Sequence, residues 1–268
     1  MELIKALLLG FIQGATEFLP VSSSGHLVLG SHILGFKEQG IVFDVMVHLG
    51  TLVSVIIVFR KELLAMIQAP FQVLKGERSD SVHRFLLWDI YVIIATIPAA
   101  IIGLGFKDSI EQMFTSTTLV CLMLIITGSM MIISRYLPDR GGEVTAGRAL
   151  LIGCAQAVAI LPGLSRSGST IFMGMLVGVN RETAARFSFI MSFPAIMGAA
   201  AINFNEILLY PPSGATMFNL LAGTLMAAVT GYFAIILLLD VIKKNRLPWF
   251  GYYCLVVAFT GLAVMHLA

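Results

Sequence analysis

Six stretches of this chain, residues 42–59, 85–106, 117–134, 187–204, 217–239 and 248–267, are apolar almost throughout. Each is close to the roughly 20 residues that a helix needs to cross about 30 Å of hydrocarbon. Of the 268 residues, 58% are hydrophobic and only 12% charged, against roughly 25% charged in an ordinary soluble domain. No charge-rich surface can cover a core this apolar, so the solvent is largely lipid. The run lengths, and the absence of strand-like alternation, predict an all-α polytopic membrane protein. We expect one integral membrane domain over residues 1–268. A net charge of +2 gives no argument for nucleic acid. Met1–Lys5 lacks the basic start and small-residue cleavage site of a signal peptide and is read as part of the mature protein. Cys121, Cys154 and Cys254 sit in apolar segments without metal-ligand spacing and are expected to be buried packing thiols.

Two regions break the pattern. Residues 3–36 and 149–179 are apolar on both sides of a polar, Gly- and Ser-rich centre. The arms Ala149–Leu161, Ile171–Val179 and Leu27–Phe36 are too short to cross the hydrocarbon at 1.5 Å per residue. Short arms around a polar tip predict re-entrant helical hairpins, tolerated where protein or water shields the tip.

The charges test that layout. With residues 60–84 in the cytoplasm and only the six long segments crossing, thirteen basic residues face inside: Arg60, Lys61, Lys75, Arg78, Arg84, Arg135, Arg140, Arg148, Arg181, Arg186, Lys243, Lys244 and Arg246. Lys5, Lys37 and Lys107 face outside, and Arg166 lies in a hairpin tip. The bias follows the positive-inside rule and puts both termini outside.

The chain also repeats itself. Leu9-Gly10-Phe11-Ile12-Gln13 is echoed by Ile152-Gly153-Cys154-Ala155-Gln156, and Leu19–Gly25 by Leu161–Gly168. Phe43 and Phe187 each open a spanning segment at similar distances beyond. One hairpin then enters from outside and the other from inside, an inverted-topology repeat of about residues 1–134 and 149–268. Sites in such folds lie near the midplane where the halves meet.

The tips carry the chemistry. Glu17 is an ionisable group at membrane depth, costly unless paired, and Arg166 is its counterpart of opposite sign. Their structural readings are a headgroup-level carboxylate and a snorkelling Arg. Pro20 and Pro162 end the entering helices, and Gly25 and Gly168 permit tight turns. The returning helices start near Ser24–His26 and Ser167–Thr170, aiming free N–H groups into the tip. Ser22, Ser23, Ser24, Ser165, Ser167 and Thr170 add hydroxyls; any one could be a helix cap, but together with Arg166 they form a phosphate cradle. His26 could act as base, acid or nucleophile. Asp44, His48 and Asp89 are expected to pack against the hairpins, while His32, His83 and His266 look peripheral. From the residues alone, a phosphatase and a lipid transporter are equally served.

Gln13-x-x-x-Glu17, Pro20-Val21-Ser22-Ser23-Ser24-Gly25-His26 and Pro162-Gly163-Leu164-Ser165-Arg166-Ser167-Gly168-Ser169-Thr170 resemble the signatures of the bacterial undecaprenyl-diphosphatase family of the bacitracin-resistance type. The resemblance covers essentially the whole chain. It implies hydrolysis of undecaprenyl diphosphate to its monophosphate and inorganic phosphate, which recycles the carrier lipid for peptidoglycan and other envelope polymers. It also implies a multi-pass protein of the bacterial inner membrane, an active site open to the outer side, and a divalent cation, Mg²⁺ or Ca²⁺. Glu17, His26, Ser165 and Arg166 match residues regarded as essential, and Ser23 matches a proposed nucleophile. Many relatives carry Glu where this chain has Gln13. With one carboxylate, the cation would be held by Glu17 and the diphosphate itself.

The expected mechanism has Arg166 fork onto phosphate oxygens while Ser165, Ser167, Thr170 and the helix starts bind the rest, with Gln13, Ser22, Ser24 and Gly163 completing the substrate site. The nucleophile is Ser23 with His26 as base, His26 itself, or water. The rival reading is a polyprenyl-phosphate flippase using the same midplane site. The expected partners are the polyprenyl diphosphate and the bilayer, with a homo-oligomer left open.

Overall fold

A computed structural model of the chain describes residues 2–35, 40–209 and 214–267. Twelve α-helices carry the described residues: α1 (Glu2–Glu17), α2 (Ser23–Leu34), α3 (Ile41–Val58), α4 (Arg60–Leu74), α5 (Asp80–Gly105), α6 (Lys107–Met113), α7 (Thr117–Ile133), α8 (Ala146–Val158), α9 (Arg166–Leu176), α10 (Arg181–Leu209), α11 (Gly214–Lys243) and α12 (Pro248–Leu267). Four of them, α5, α7, α10 and α11, are long and apolar enough to cross a membrane, and a fifth crossing results if α3 and α4 are taken as one bent pair. This is a polytopic helical membrane protein. Of the six expected segments, 42–59 ends at an 80° bend into α4, and the last is apolar over the described stretch Pro248–Val264. Phe36, Lys37 and the side chains of His32 and His266 lie outside the described residues; His83 is exposed.

The sharp bend after Val58 turns α4 off the axis of α3. Met66 and Ala69 of α4 are buried, while Leu64, Ile67, Phe71 and Leu74 are exposed, the pattern of a helix lying in a membrane interface. Arg186 of α10 holds this helix down, bonding to Glu62 at 2.7 Å and to Glu182 at 2.8 Å.

The hairpin arms are short: α1 has 16 residues, α2 12, α8 13 and α9 11. The entering arms are fixed by backbone-to-backbone packing. α1 runs along α11, with Gly10 against the carbonyl of Gly223 and Gly14 against that of Ala227. α8 runs along α5, with Gly153 against the carbonyl of Ala95. Small residues allow this approach where apolar burial gives no driving force of its own. Between the hairpins the core is aromatic, with Phe189 touching Phe18 edge-on at 5.6 Å and Phe59 at 5.7 Å.

Cys121 and Cys254 are buried as expected, but Cys154 is exposed. It shares an outward face of α8 with Leu150, Leu151 and Val158. Its apolar surroundings in sequence reflect a lipid-facing stripe rather than a packed one.

Candidate active site at the hairpin tips

Both tips are built by the same local chemistry. In the first, Ser22 Oγ accepts from the N–H of Gly25 at 3.3 Å and lies 3.2 Å from Ser24 Oγ. In the second, Ser165 Oγ accepts from the N–H of Gly168 at 3.1 Å and lies 3.2 Å from Ser167 Oγ. Each serine caps the returning helix, α2 or α9. Ser22 adopts a positive φ of 68°, a region that few non-glycine residues occupy. The tips meet face to face: Gly25 packs on Gly163, and Gly168 on Pro20. Two helix N-termini thereby converge, each with unpaired N–H groups and the positive end of its dipole.

Glu17 ends α1 at this junction and is only 7% exposed, so its charge must be compensated from within the protein. Arg166 Nη2 reaches across from the second tip to donate to Oε1. Oε2 accepts from Ser23 Oγ at 2.5 Å and from Gln13 Nε2 at 2.9 Å, and His48 Nε2 lies 3.5 Å away. Glu17, Ser23, Gln13 and Arg166, four residues singled out in the sequence, therefore form one cluster, and His48 packs against it. Gln13 Oε1 and Arg166 Nη1 are both buried without a hydrogen-bond partner among the described residues.

His26 stands apart from Ser23. Its Nδ1 is 2.8 Å from the carbonyl of Ser22 and its Nε2 is 2.8 Å from the hydroxyl of Tyr253. The proton of Ser23 lies against Glu17, not against the imidazole expected as its base. Ser165, Ser167 and Thr170 are buried. Ser167 Oγ donates to the carbonyl of Leu19 at 3.2 Å, tying the tips together. Thr170 Oγ1 donates to the carbonyl of Arg166 at 2.8 Å and meets Ser188 Oγ at 2.6 Å. These hydroxyls hold the second tip in shape, and in doing so place the Arg166 guanidinium.

Thr127 and Tyr253 were not singled out from the sequence. Thr127 clamps the second tip from α7, donating to the carbonyl of Gly163 at 3.2 Å and accepting from the N–H of Ser165 at 3.0 Å. Gly163 itself has a φ of 91°, and a Cβ there would enter the carbonyl of Val120. Gly163→Ala is therefore expected to destabilise the protein by about 1–3 kcal/mol or more and to abolish turnover. Thermal unfolding in detergent with a turnover assay checks both.

A family model described as bacitracin resistance protein BacA matches residues 6–260. The chain belongs to that family. It is 40% identical to an undecaprenyl-diphosphatase of Carboxydothermus hydrogenoformans, over 98% of each chain. It is 44% identical to one of Syntrophotalea carbinolica over 95% of each, and 41% identical to one of Methanobrevibacter smithii over the full length of both. All the residues of the two tips fall inside the matched span.

Proposed function

We propose that this site hydrolyses undecaprenyl diphosphate, releasing its terminal phosphate and leaving the lipid monophosphate. The observation that carries the reading is the buried Glu17–Arg166 pair across two converging helix starts. It unites a carboxylate, a hydroxyl and a guanidinium with a free buried Nη1, the set an in-line attack on a phosphoryl group requires.

In the resting site Arg166 is shared: Nη2 is engaged by Glu17 and Nη1 is open. An arriving terminal phosphate takes Nη1 and the free N–H groups of α2 and α9, whose donors are already oriented. As Arg166 turns toward the phosphate, Glu17 Oε2, already 2.5 Å from Ser23 Oγ, takes the Ser23 proton. Ser23 Oγ attacks the terminal phosphorus, the bridging P–O bond breaks, and the lipid monophosphate leaves with the bridging oxygen. Water then attacks the phosphorus of the phosphoserine, the P–Oγ bond breaks, Glu17 returns its proton to Ser23 Oγ, and inorganic phosphate is released. His26 faces the open side of the site, where it serves this second step as base.

Among the described residues no group of three or more His, Cys, Asp or Glu side chains could hold a metal. The donor set still fits a cation shared with substrate. Gln13 Oε1 is a buried oxygen without a partner among the described residues, one helical turn from Glu17 on the same face of α1. Gln13 and Glu17 would hold a Mg²⁺ or Ca²⁺ completed by phosphate oxygens and water. Such an ion would supply charge neutralisation on the phosphate.

We further read the chain as an inverted repeat of six crossings and two re-entrant hairpins, open to the outer face. The matched hydrogen-bond patterns of the tips support this, as do the reciprocal packing of α1 on α11 and α8 on α5 and the inward bias of basic residues.

Purified protein in detergent should release phosphate from undecaprenyl diphosphate, and Ser23→Ala should reduce that release by at least about 10³-fold. Rapid quenching with labelled substrate should trap the label on Ser23 of the unsubstituted protein. Release by Ser23→Ala within about tenfold of the parent, with no trapped label, would assign the attack to water or His26. Lipid transfer across vesicles without any release would replace the phosphatase with a flippase.

A further inference from the structure

Tyr253 belongs to neither hairpin, yet it holds the imidazole of the first. Its hydroxyl is 2.8 Å from His26 Nε2, and the two rings lie within 10° of parallel with centroids 5.5 Å apart. The other ring nitrogen, Nδ1, is 2.8 Å from the carbonyl oxygen of Ser22. A carbonyl only accepts, so Nδ1 carries the hydrogen, and in the neutral ring Nε2 is the lone-pair nitrogen. The tyrosine O–H then donates to Nε2. Carbonyl, hydroxyl and stacked ring together fix both the tautomer and the plane of His26.

The support is rigid. Cys254, the next residue on α12, is buried, with Sγ 3.7 Å from the carbonyl of Pro20. One turn earlier, Gly251 packs against the backbone of Gly128 on α7. α12 thus delivers Tyr253 to the first tip from a helix pair that the hairpin does not control. Tyr253 is also 44% exposed. A tyrosine that served only to fill the core would be buried, whereas this one covers the imidazole from the surface of the protein.

We propose that Tyr253 is a positioning residue for the reaction, holding His26 in the Nδ1–H tautomer with Nε2 presented to the open side of the site. The hydroxyl is exchangeable: the attacking water takes its place as donor to Nε2 without the ring having to turn. The proposal rests on the reading in which His26 acts on the phosphoryl group.

The test is Tyr253→Phe, which keeps the stack and removes the hydroxyl. With undecaprenyl diphosphate, kcat should fall by about tenfold while KM stays within about twofold. Tyr252→Phe, the neighbouring control, should match the parent. In protein labelled with ¹⁵N-histidine, the His26 ring should show one tautomer in the parent and a mixture in Tyr253→Phe. In a His26→Gln background, Tyr253→Phe should add no further loss. Parental kcat with an unchanged His26 tautomer in Tyr253→Phe would overturn the proposal, as would equal losses in the two backgrounds. Full turnover by His26→Gln would instead overturn the reading beneath it, and the proposal with it. The nitrogen spectra separate that failure from a missing hydrogen bond.

Discussion

Arg166→Lys is expected to lower kcat/KM for undecaprenyl diphosphate by about 10²–10³-fold, although it preserves the charge. The guanidinium has two tasks here and a separate nitrogen for each. Nη2 neutralises Glu17, while Nη1 is buried without a partner among the described residues and is available to a phosphate oxygen. A lysine ammonium is a single point and must choose between them. Arg166→Ala goes further and removes the only full positive charge, among the described residues, bonded to a carboxylate that is 7% exposed. Losing one partner of such a pair typically destabilises by about 3–5 kcal/mol. Adding Glu17→Gln to Arg166→Ala should recover most of that stability and none of the turnover, because the unpaired buried charge is gone but the phosphate ligand is still missing. Thermal unfolding and phosphate release, measured on the same preparations, separate the two effects. A kcat/KM within about threefold of the parent for Arg166→Lys would remove the guanidinium from phosphate recognition.

The elements that a sequence could announce were those fixed by local chemistry. Apolar length marked the spanning helices, and Pro20, Pro162 and the serine runs marked where the short arms turn. The same runs marked Glu17, Ser23, Gln13 and Arg166, and the two tips that carry them meet in the structure. What stayed hidden depends on contacts between distant segments. The donor to His26 Nε2 is 227 positions away, and nothing in the run Tyr252-Tyr253-Cys254 points to a hairpin. Thr127 looks like any threonine in an apolar helix, yet it clamps a tip 36 positions further on. The 80° turn between α3 and α4 falls at Phe59, where the first spanning segment was expected to end, but its angle has no proline or glycine to mark it. Ser165, Ser167 and Thr170 were legible as a cluster, but not as hydroxyls facing one another and the backbone.

Gly10 shows how a repeat read as a pattern becomes a load on packing. It echoes Gly153, and each occupies a position on its arm where another helix's backbone lies directly alongside. At Gly10 that neighbour is Gly223 of α11, and at Gly153 it is Ala95 of α5. In lipid the arms gain little from apolar burial, so close van der Waals contact is what seats them. A side chain at Gly10 would meet a carbonyl oxygen rather than the movable end of another side chain, so relief requires α1 to shift as a body. Glu17 is the last residue of α1, and any such shift carries it away from Arg166. Gly10→Val is therefore expected to destabilise by more than the roughly 1–3 kcal/mol of ordinary overpacking and to lose activity in whatever protein still folds. Gly147→Ala, on α8 with open space around its Cα, should be neutral or stabilising by up to about 1 kcal/mol. Yield of monodisperse protein and midpoint of thermal unfolding read the comparison. Equal behaviour of the two variants would show that α1 is seated by its side chains and not by the glycine contact.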